Sequence, residues 1–177
     1  MENNLTGRII EVVNYDSRWV KLFESEKVLL AKAIGQNALK IEHIGSTSVI
    51  GLSAKPIIDI LIEVTCLTAL DRVNKKIEDI GYLVKGENGI TGRRYFQKGG
   101  LQRSHHIHAF QTNDMHLCRH RAFKEYLIAH PKTLLAYDKV KRMAASQSGN
   151  NIQTYMMLKN GFIQKHEQLA LTWFSAK

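Results

Sequence analysis

Cysteine is scarce in this chain, with two among its 177 residues. Cys66 and Cys118 lie far apart and belong to no paired-cysteine motif. This spacing indicates neither a disulfide framework nor a structural zinc site. We therefore expect the protein to work in a reducing compartment, the cytoplasm.

Long apolar runs are also missing, and none approaches the roughly 20 residues that a membrane-spanning helix requires. The opening residues, MENNLTGRII, lack the basic start and the apolar core of a signal peptide. Repeats and low-complexity tracts are absent from the sequence as well. We expect a soluble protein with no membrane partner, folded as one domain over residues 1–177.

Acidic residues are outnumbered, because 25 Lys and Arg face 16 Asp and Glu and give a formal charge of +9. An excess of this size favours anionic partners, which include nucleotides, phosphorylated metabolites and nucleic acid. A dense basic run or an arginine-rich tail would favour nucleic acid, but the chain has neither. A small phosphorylated molecule is therefore the expected partner, nucleic acid is not, and composition leaves the oligomeric state open.

Periodicity and turn signals predict α/β structure in the first part of the chain and helices in the rest. Residues 1–112 contain, in order, a helix capped by Asp16 and closed by Gly35, strands at 39–44 and 56–64, a helix capped by Thr68 and closed by Gly81, and strands near Tyr82, at 93–98 and at 105–110. Residues 113–177 contain helices at 114–130, 131–146 and 151–173. The predicted fold class is α/β (α+β), with the helical part packed on the core.

Asp59 interrupts PIIDILIEV, a run of β-branched residues typical of a buried strand. Because side chains alternate along a strand, Asp59 faces away from the apolar side that Ile58 and Ile60 mark as core. The preceding loop carries small and hydroxyl residues that let a phosphate approach closely, and one cation: Gly45, Ser46, Thr47, Ser48 and Lys55.

A carboxylate that holds a divalent cation opposite such a phosphate cradle is the arrangement of phosphoryl or nucleotidyl transfer. The alternative is that Asp59 accepts hydrogen bonds from the loop amides and only fixes the turn. Spacing alone leaves both interpretations open.

The stretch HIGSTSVIGLSAKPIIDIL resembles the GrpB family, a group within the nucleotidyltransferase superfamily, whose Gly-Ser pair and strand aspartate are Gly45, Ser46 and Asp59 here. The resemblance covers nearly the whole chain and includes Trp19, Phe23, Glu26, HHIHAF, RAFKEYLIAHP, the segment 137–141, Tyr155, Lys159 and Phe162. It implies a nucleotidyltransferase-like fold, with a mixed β-sheet, flanking helices and a helical C-terminal part. Relatives that it resembles also occur fused to dephospho-coenzyme A kinase.

One position departs from the standard nucleotidyltransferase strand, which carries two carboxylates separated by one residue. Here the second position is Leu61, as an apolar residue usually is in the GrpB pattern. Glu63 lies on the same face, but roughly 13 Å of strand separate it from Asp59, too far to share one metal ion. The resemblance therefore implies a site whose chemistry differs from the standard one.

In HHIHAF, His106 and His108 share one face of the predicted strand and His105 lies on the other. The two imidazoles are roughly 7 Å apart at the backbone, so both can converge on one ion or one phosphate. Standard nucleotidyltransferases place a third carboxylate at about this point. The resemblance thus implies Asp59, His106 and His108 as catalytic residues and metal ligands.

We expect the divalent ion to be Mg, Mn or Zn, and a mixed nitrogen and oxygen ligand set suits Zn, Mn or Fe better than Mg. Alternatively, the imidazoles hold phosphate oxygens or only hydrogen-bond to their neighbours. His105 is expected to be structural, and His43 to contact the ligand or the loop. The helical histidines are expected to be ordinary packing or surface residues.

Each of four further residues would by itself be read as a surface residue, but their place in the family pattern makes them candidate contacts for a triphosphate or substrate: Arg94, Lys141, Tyr155 and Lys159. Tyr155 and Lys159 lie one helical turn apart and share a face. Lys141 falls at the edge of the apolar stripe of its helix.

The sequence thus predicts a metal-dependent transfer of a nucleotidyl group from a nucleoside triphosphate to a small acceptor. One alternative is a protein that binds a nucleotide or a coenzyme A-related phosphate ligand without turnover. A third is an RNA-binding protein, which rests on the net charge alone.

Overall fold

The structure is a computed structural model, and it describes residues 9–177. Residues 1–8, which hold most of the opening segment judged not to be a signal peptide, lie outside this range. The strands are β1 Ala38–Ile44, β2 Ile58–Val64, β3 Tyr82–Val84, β4 Arg94–Lys98 and β5 His105–Gln111. The helices are α1 Arg18–Ile34, α2 Leu67–Asp71, α3 Asn74–Asp79, α4 Met115–Ala129, α5 Pro131–Gln147 and α6 Ile152–Ser175.

The five strands form one mixed sheet in the order β1-β2-β5-β4-β3. β2 and β5 run parallel, whereas the other neighbouring strands pair antiparallel. The predicted mixed sheet with flanking helices and a helical C-terminal part is therefore confirmed. The parallel pair at the centre brings the aspartate strand next to the histidine strand.

The starts of the three C-terminal helices follow the local sequence signals closely, whereas α1 begins after Ser17 and not directly after the predicted cap Asp16. Asp114 and Asn151 accept hydrogen bonds from the backbone N–H groups of His116 (2.8 Å) and Thr154 (3.0 Å), and so cap α4 and α6. Pro131 occupies the first turn of α5, where its missing N–H costs nothing. These caps explain why the three predicted C-terminal helices begin where the sequence indicates.

The prediction of a single helix between Thr68 and Gly81 was wrong, because the structure has two short helices there, α2 and α3. Leu70 and Ile77 are both fully buried and belong to one apolar cluster. Periodicity reports which side chains face the core, and two short segments satisfy the same spacing as one helix. Thr68 consequently lies inside α2 and does not cap it.

The sheet is covered on both faces. On one face, alternate residues of β2 pack against α1 and form the main core, in a cluster that includes Ile58, Ile60, Ile62, Trp19 and Phe23. On the other face, Leu61 packs with Ile44, Phe110 and Leu117 of α4. Asp59, at the end of β2 next to the loop, remains uncovered by this second cluster.

The helices differ widely in length, from the five residues of α2 to the 24 residues of α6. None of the helices in the described part of the chain is both long enough and apolar enough to cross a membrane.

Candidate functional site

The carboxylate of Asp59 faces two imidazoles on the adjacent parallel strand. Asp59 is the register partner of His106. Its Oδ1 atom lies 3.4 Å from Nδ1 of His106 and 3.5 Å from Nε2 of His108. The three predicted central residues are thus brought together, as a carboxylate flanked by two histidines.

These contacts keep Asp59 ionised. Burial alone would raise the pKa of Asp59, but hydrogen bonds and positive charge from His106 and His108 hold that pKa well below its usual range. The side chain is still 29% exposed, so the negative charge is open to the cleft above it.

The loop before β2 packs directly on this carboxylate. Gly45 has φ +70°, a conformation that favours glycine, and a Cβ atom there would lie 2.6 Å from Oδ2 of Asp59. Two loop hydroxyls serve the loop itself, since Thr47 Oγ1 lies 2.9 Å from Nε2 of His43 and Ser48 donates to the Gly45 carbonyl at 2.7 Å. Glycine is therefore required here by the close approach of Asp59.

Above Asp59 lies a cleft of about 380 Å³, a volume within the range of small-molecule sites. Most of the residues predicted for the site line it: Ser46, Thr47, Lys55, Asp59, His106, His108, Lys141, Tyr155 and Lys159. Gly45 borders a smaller cavity that shares Ser46 with the cleft. Ser48 is not among the lining residues of either cavity.

One wall of the cleft is built by α5 and α6. Two ammonium groups contact the ring of Tyr155 there: that of Lys159, one turn along α6, at 4.9 Å, and that of Lys55, in the loop before β2, at 4.8 Å. Burial lowers the pKa of Lys159, and the charge of Asp59 opposes that shift. Lys159 is thus a half-buried cation near the central carboxylate.

Lys141 is more deeply placed than its position on the apolar stripe indicated. It is 2% exposed, donates a hydrogen bond to the Ser53 carbonyl, and lies 4.8 Å from the ring of Tyr137. Burial, followed by the charge of Lys159, lowers the pKa of Lys141 to about 7. Met143, on the same helix, is 48% exposed.

Comparison with known proteins agrees with the sequence motifs. The family model described as GrpB protein matches residues 9–169. The chain belongs to the GrpB family. The predicted resemblance is therefore confirmed.

Relatives of this GrpB chain include the UPF0157 protein YqkA of Bacillus subtilis (strain 168), which is 40% identical over 166 residues. That match covers 94% of this chain but 48% of YqkA, so the chain spans about half the length of this relative. The crystal structure of conserved protein GrpB from Enterococcus faecalis has a TM-score of 0.89 at 41% identity, and covers 93% of this chain and 99% of that one.

A distant likeness extends to a nucleotidyltransferase. Terminal uridylyl transferase 4 from Trypanosoma brucei with bound CTP has a TM-score of 0.49 at 16% identity, over 85% of this chain and 51% of that one. At this level the likeness carries no argument about the activity of the GrpB chain.

The donor set does not fit the metal sites expected from the sequence. No three His, Cys, Asp or Glu side chains among residues 9–177 form a group that could hold a metal ion. Leu61, at the second carboxylate position, is fully buried under α4, and Glu63 is bound by Arg121 (2.7 Å) and Thr112 (2.8 Å). Asp59, His106 and His108 are adjacent, but as a hydrogen-bonded group in which the imidazoles pair with the carboxylate.

Arg94 lies away from the cleft, contrary to its expected role. Its guanidinium binds Asp71 through two hydrogen bonds of 2.6 and 2.9 Å. The residue that reaches the cleft is its neighbour Arg93, together with Asn88, Tyr95 and Arg103. Strand alternation shows that only one of two adjacent arginines can face the site, but the register of β4 on β5, which pairs Tyr95 with His108, decides which one.

The other histidines divide between the site and the core. His120, expected to be an ordinary packing residue, lies with its ring 5.3 Å from that of His108, and burial lowers its pKa to about 3. His43 contacts the loop through Thr47 and stacks on Phe23. His105 is buried on the opposite face, as the alternation predicts.

Proposed function

We propose that this GrpB protein binds the phosphates of a nucleoside triphosphate in the cleft and transfers the nucleotidyl group to a small acceptor. The observation that carries the proposal is that two lysines, the buried Lys141 and the half-buried Lys159, line the same cleft as the Ser46 loop and Asp59. Buried cations are costly unless an opposite charge is near, and a polyphosphate supplies that charge.

In this proposal each group has a binding or orienting role. Lys141, Lys159 and the hydroxyl of Tyr155 hold the phosphate chain, with Ser46 and Thr47 at its other side. Asp59 fixes the imidazoles of His106 and His108 beside the phosphate chain, because one nitrogen of each ring lies 3.4–3.5 Å from its carboxylate. Residues 9–177 act as one domain, because both the sheet and the C-terminal helices build the cleft.

A thermal-shift panel tests the donor. Metal-stripped protein is melted with each nucleoside triphosphate, with and without magnesium, manganese or zinc, and compared with Asp59→Ala and Lys159→Gln. Binding raises the melting temperature by mass action. The proposal expects at least one nucleoside triphosphate to raise the melting temperature, and Lys159→Gln to reduce that rise. It also expects pyrophosphate to be released. The absence of any shift in melting temperature contradicts the proposal.

A second candidate function is nucleotide binding without turnover. The observation that favours it is the missing second carboxylate, because Leu61 is apolar and fully buried. Its signature is a thermal shift that depends on Lys159 but not on Asp59 or metal, with no pyrophosphate released in the presence of any acceptor tried.

A further inference from the structure

Arg93 is a buried guanidinium without a carboxylate. It is 7% exposed, and its donors bind the backbone carbonyls of Glu87 (3.1 Å) and Asn88 (2.7 Å). A third nitrogen lies 3.5 Å from Nδ1 of His108, and the guanidinium lies 4.7 Å from the ring of Tyr95. No Asp or Glu in the described part of the chain forms an ion pair with Arg93.

All of these contacting groups are formally neutral, so no carboxylate of residues 9–177 pairs directly with the positive charge of Arg93. A buried cation ordinarily has an opposite charge or an anionic ligand close to it, because burial without one is costly. Arg93 lines the cleft. The arrangement therefore points to an anion that binds there.

Arg93 and Lys159 line the cleft from different elements, the turn before β4 and helix α6. Nδ1 of His108 faces Arg93, while its Nε2 faces Asp59 at 3.5 Å. Lys159 lies on the helical wall of the cleft, near enough to Asp59 for that charge to act on its pKa. The cleft thus has two groups of cations from different elements, a lysine patch on the helical wall and an arginine patch beside His108.

The second patch contains a further cation. Arg103, in the segment before β5, lines the cleft and is close enough to Tyr95 to affect its pKa. Tyr95 is two strands away from Asp59, which corresponds to about 10 Å across the sheet. One phosphate chain bound along the lysines would leave this arginine patch unfilled.

We propose that Arg93 and Arg103 bind the phosphate group of a phosphomonoester, which is the acceptor in the nucleotidyl transfer. This inference rests on the proposed function, and it assigns the acceptor to a chemical class. A guanidinium suits a phosphate because its planar donors match two phosphate oxygens.

The chemistry of such an acceptor matches the composition of the cleft. An oxygen of the acceptor phosphate attacks the α-phosphorus of the triphosphate, the bond from that phosphorus to the bridging oxygen of the β-phosphate breaks, and pyrophosphate leaves with the bonding electrons. The product carries a new P–O–P linkage. With a second pKa of about 6, the acceptor oxygen is already anionic at neutral pH and no base has to remove a proton.

An alcohol acceptor, in contrast, would require a general base. The carboxylate that lines the cleft in the described part of the chain is Asp59, and both imidazoles already engage it. A phosphomonoester avoids that requirement.

Isothermal titration with two probes tests the assignment. Inorganic tripolyphosphate reports on the lysine patch and glycerol 3-phosphate on the arginine patch, each titrated alone and in the presence of the other. We expect both probes to bind together. Arg93→Gln should weaken glycerol 3-phosphate at least tenfold and change tripolyphosphate less than threefold, whereas Lys159→Gln should do the reverse.

Arg94→Gln is the matched control, since Arg94 is the adjacent arginine and binds Asp71 outside the cleft; it should change neither affinity. Should Arg93→Gln fail to fold, Arg103→Gln takes its place with the same expectation. Competition between the probes, equal losses for both probes in Arg93→Gln, no binding of glycerol 3-phosphate, or equal binding of glycerate overturns the proposal. If glycerol 3-phosphate binds through Arg93 but no nucleoside triphosphate binds, the arginine patch stands and the donor assignment fails.

Discussion

Gly45 and Asp59 approach so closely that a single added carbon would collide with the carboxylate. A Cβ atom on Gly45 would lie 2.6 Å from Oδ2 and 3.0 Å from Cβ of Asp59. The glycine of the loop and the aspartate of β2 therefore form one unit, in which the loop backbone covers one carboxylate oxygen and the imidazoles approach the other. This contact explains the glycine more directly than a general need for a flexible phosphate loop.

The first prediction compares Gly45→Ala with Gly51→Ala. Both glycines have positive φ, +70° and +83°, but a Cβ atom added to Gly51 would meet nothing within 4 Å. The positive φ should cost each variant about 1–2 kcal/mol, and the collision with Asp59 should make Gly45→Ala the less stable of the two. Only Gly45→Ala should also displace Asp59 and weaken nucleotide binding at least tenfold.

Urea denaturation measures the stability cost, and a thermal-shift titration measures the binding. If Gly51→Ala weakens nucleotide binding as much as Gly45→Ala does, the loss comes from loop strain and not from the contact with Asp59.

The second prediction concerns the pH dependence of Lys141. Its ordinary pKa of 10.5 falls to about 7 in the folded protein, chiefly because the side chain is buried. Lys159 on α6 adds to this shift, as does Arg142 on α5, whereas Asp138 opposes it. The folded protein therefore releases this proton at a lower pH than the unfolded chain does.

Between these two pKa values the unfolded state binds more protons, so stability rises with pH across that window. The unfolding free energy of the wild type minus that of Lys141→Met should rise by roughly 1 kcal/mol per pH unit from about pH 7.5 to 9.5. Lys139→Met, an exposed lysine on the same helix, should show no such slope. A flat difference for Lys141→Met in urea denaturation at several pH values would contradict the depressed pKa.

The sequence predicted the components of the site more reliably than their partners. The β-branched run around Asp59 and the alternation of HHIHAF placed the aspartate and two histidines correctly, because strand faces follow from a period of two. The sequence predicted Lys141 at the edge of the apolar stripe of its helix, yet its side chain is buried. The stripe pattern of one helix does not reveal which neighbouring helix covers it.

Pairing between distant segments was beyond the sequence. Arg93 and Arg94 could be exchanged without changing any local pattern, and only the register of β4 on β5 directs Arg93 to the cleft and Arg94 to Asp71. Similarly, the histidine contacts of Asp59 depend on β2 and β5 being parallel neighbours. One sequence, without information on which strands pair, does not predict the order of the strands in the sheet.

The third prediction tests the ion pairs that occupy Glu63. Arg121 binds both Glu42 and Glu63, and it holds the pKa of Glu63 below its usual range. Removing Arg121 leaves Glu63 buried without its cation, so Arg121→Met should lower the unfolding free energy by about 3 kcal/mol. Adding Glu63→Gln to that variant should restore part of the loss.

The control is Arg142→Met, since Arg142 is largely exposed and pairs with Asp138 one turn away on the same helix. This substitution should cost at most about 0.5 kcal/mol. A similar cost for the two arginines in chemical denaturation would show that burial of Glu63 contributes little.

The fourth prediction restores the second carboxylate of a standard nucleotidyltransferase strand by Leu61→Asp. Leu61 is fully buried against Ile44, Phe110 and Leu117, and Asp59 lies on the same strand face two residues away. The neighbouring cations are already engaged, since His108, the register partner of Leu61, faces Asp59 and Arg121 binds Glu42 and Glu63. A charge in that apolar cluster is therefore costly, and Leu61→Asp should be less stable than the similarly shaped Leu61→Asn by about 2–4 kcal/mol at neutral pH. The substitution should not create a metal site, because α4 covers the position.

The charge can be separated from the lost packing by its pH dependence. Burial raises the pKa of the introduced carboxyl, so the unfolded state releases its proton first and the variant loses stability as pH rises above about 4. The gap between Leu61→Asp and Leu61→Asn should therefore close in acid. Equal stability at neutral pH, together with manganese binding detected by electron paramagnetic resonance, would mean that the strand accepts a second carboxylate and that its absence here is not dictated by the packing of α4.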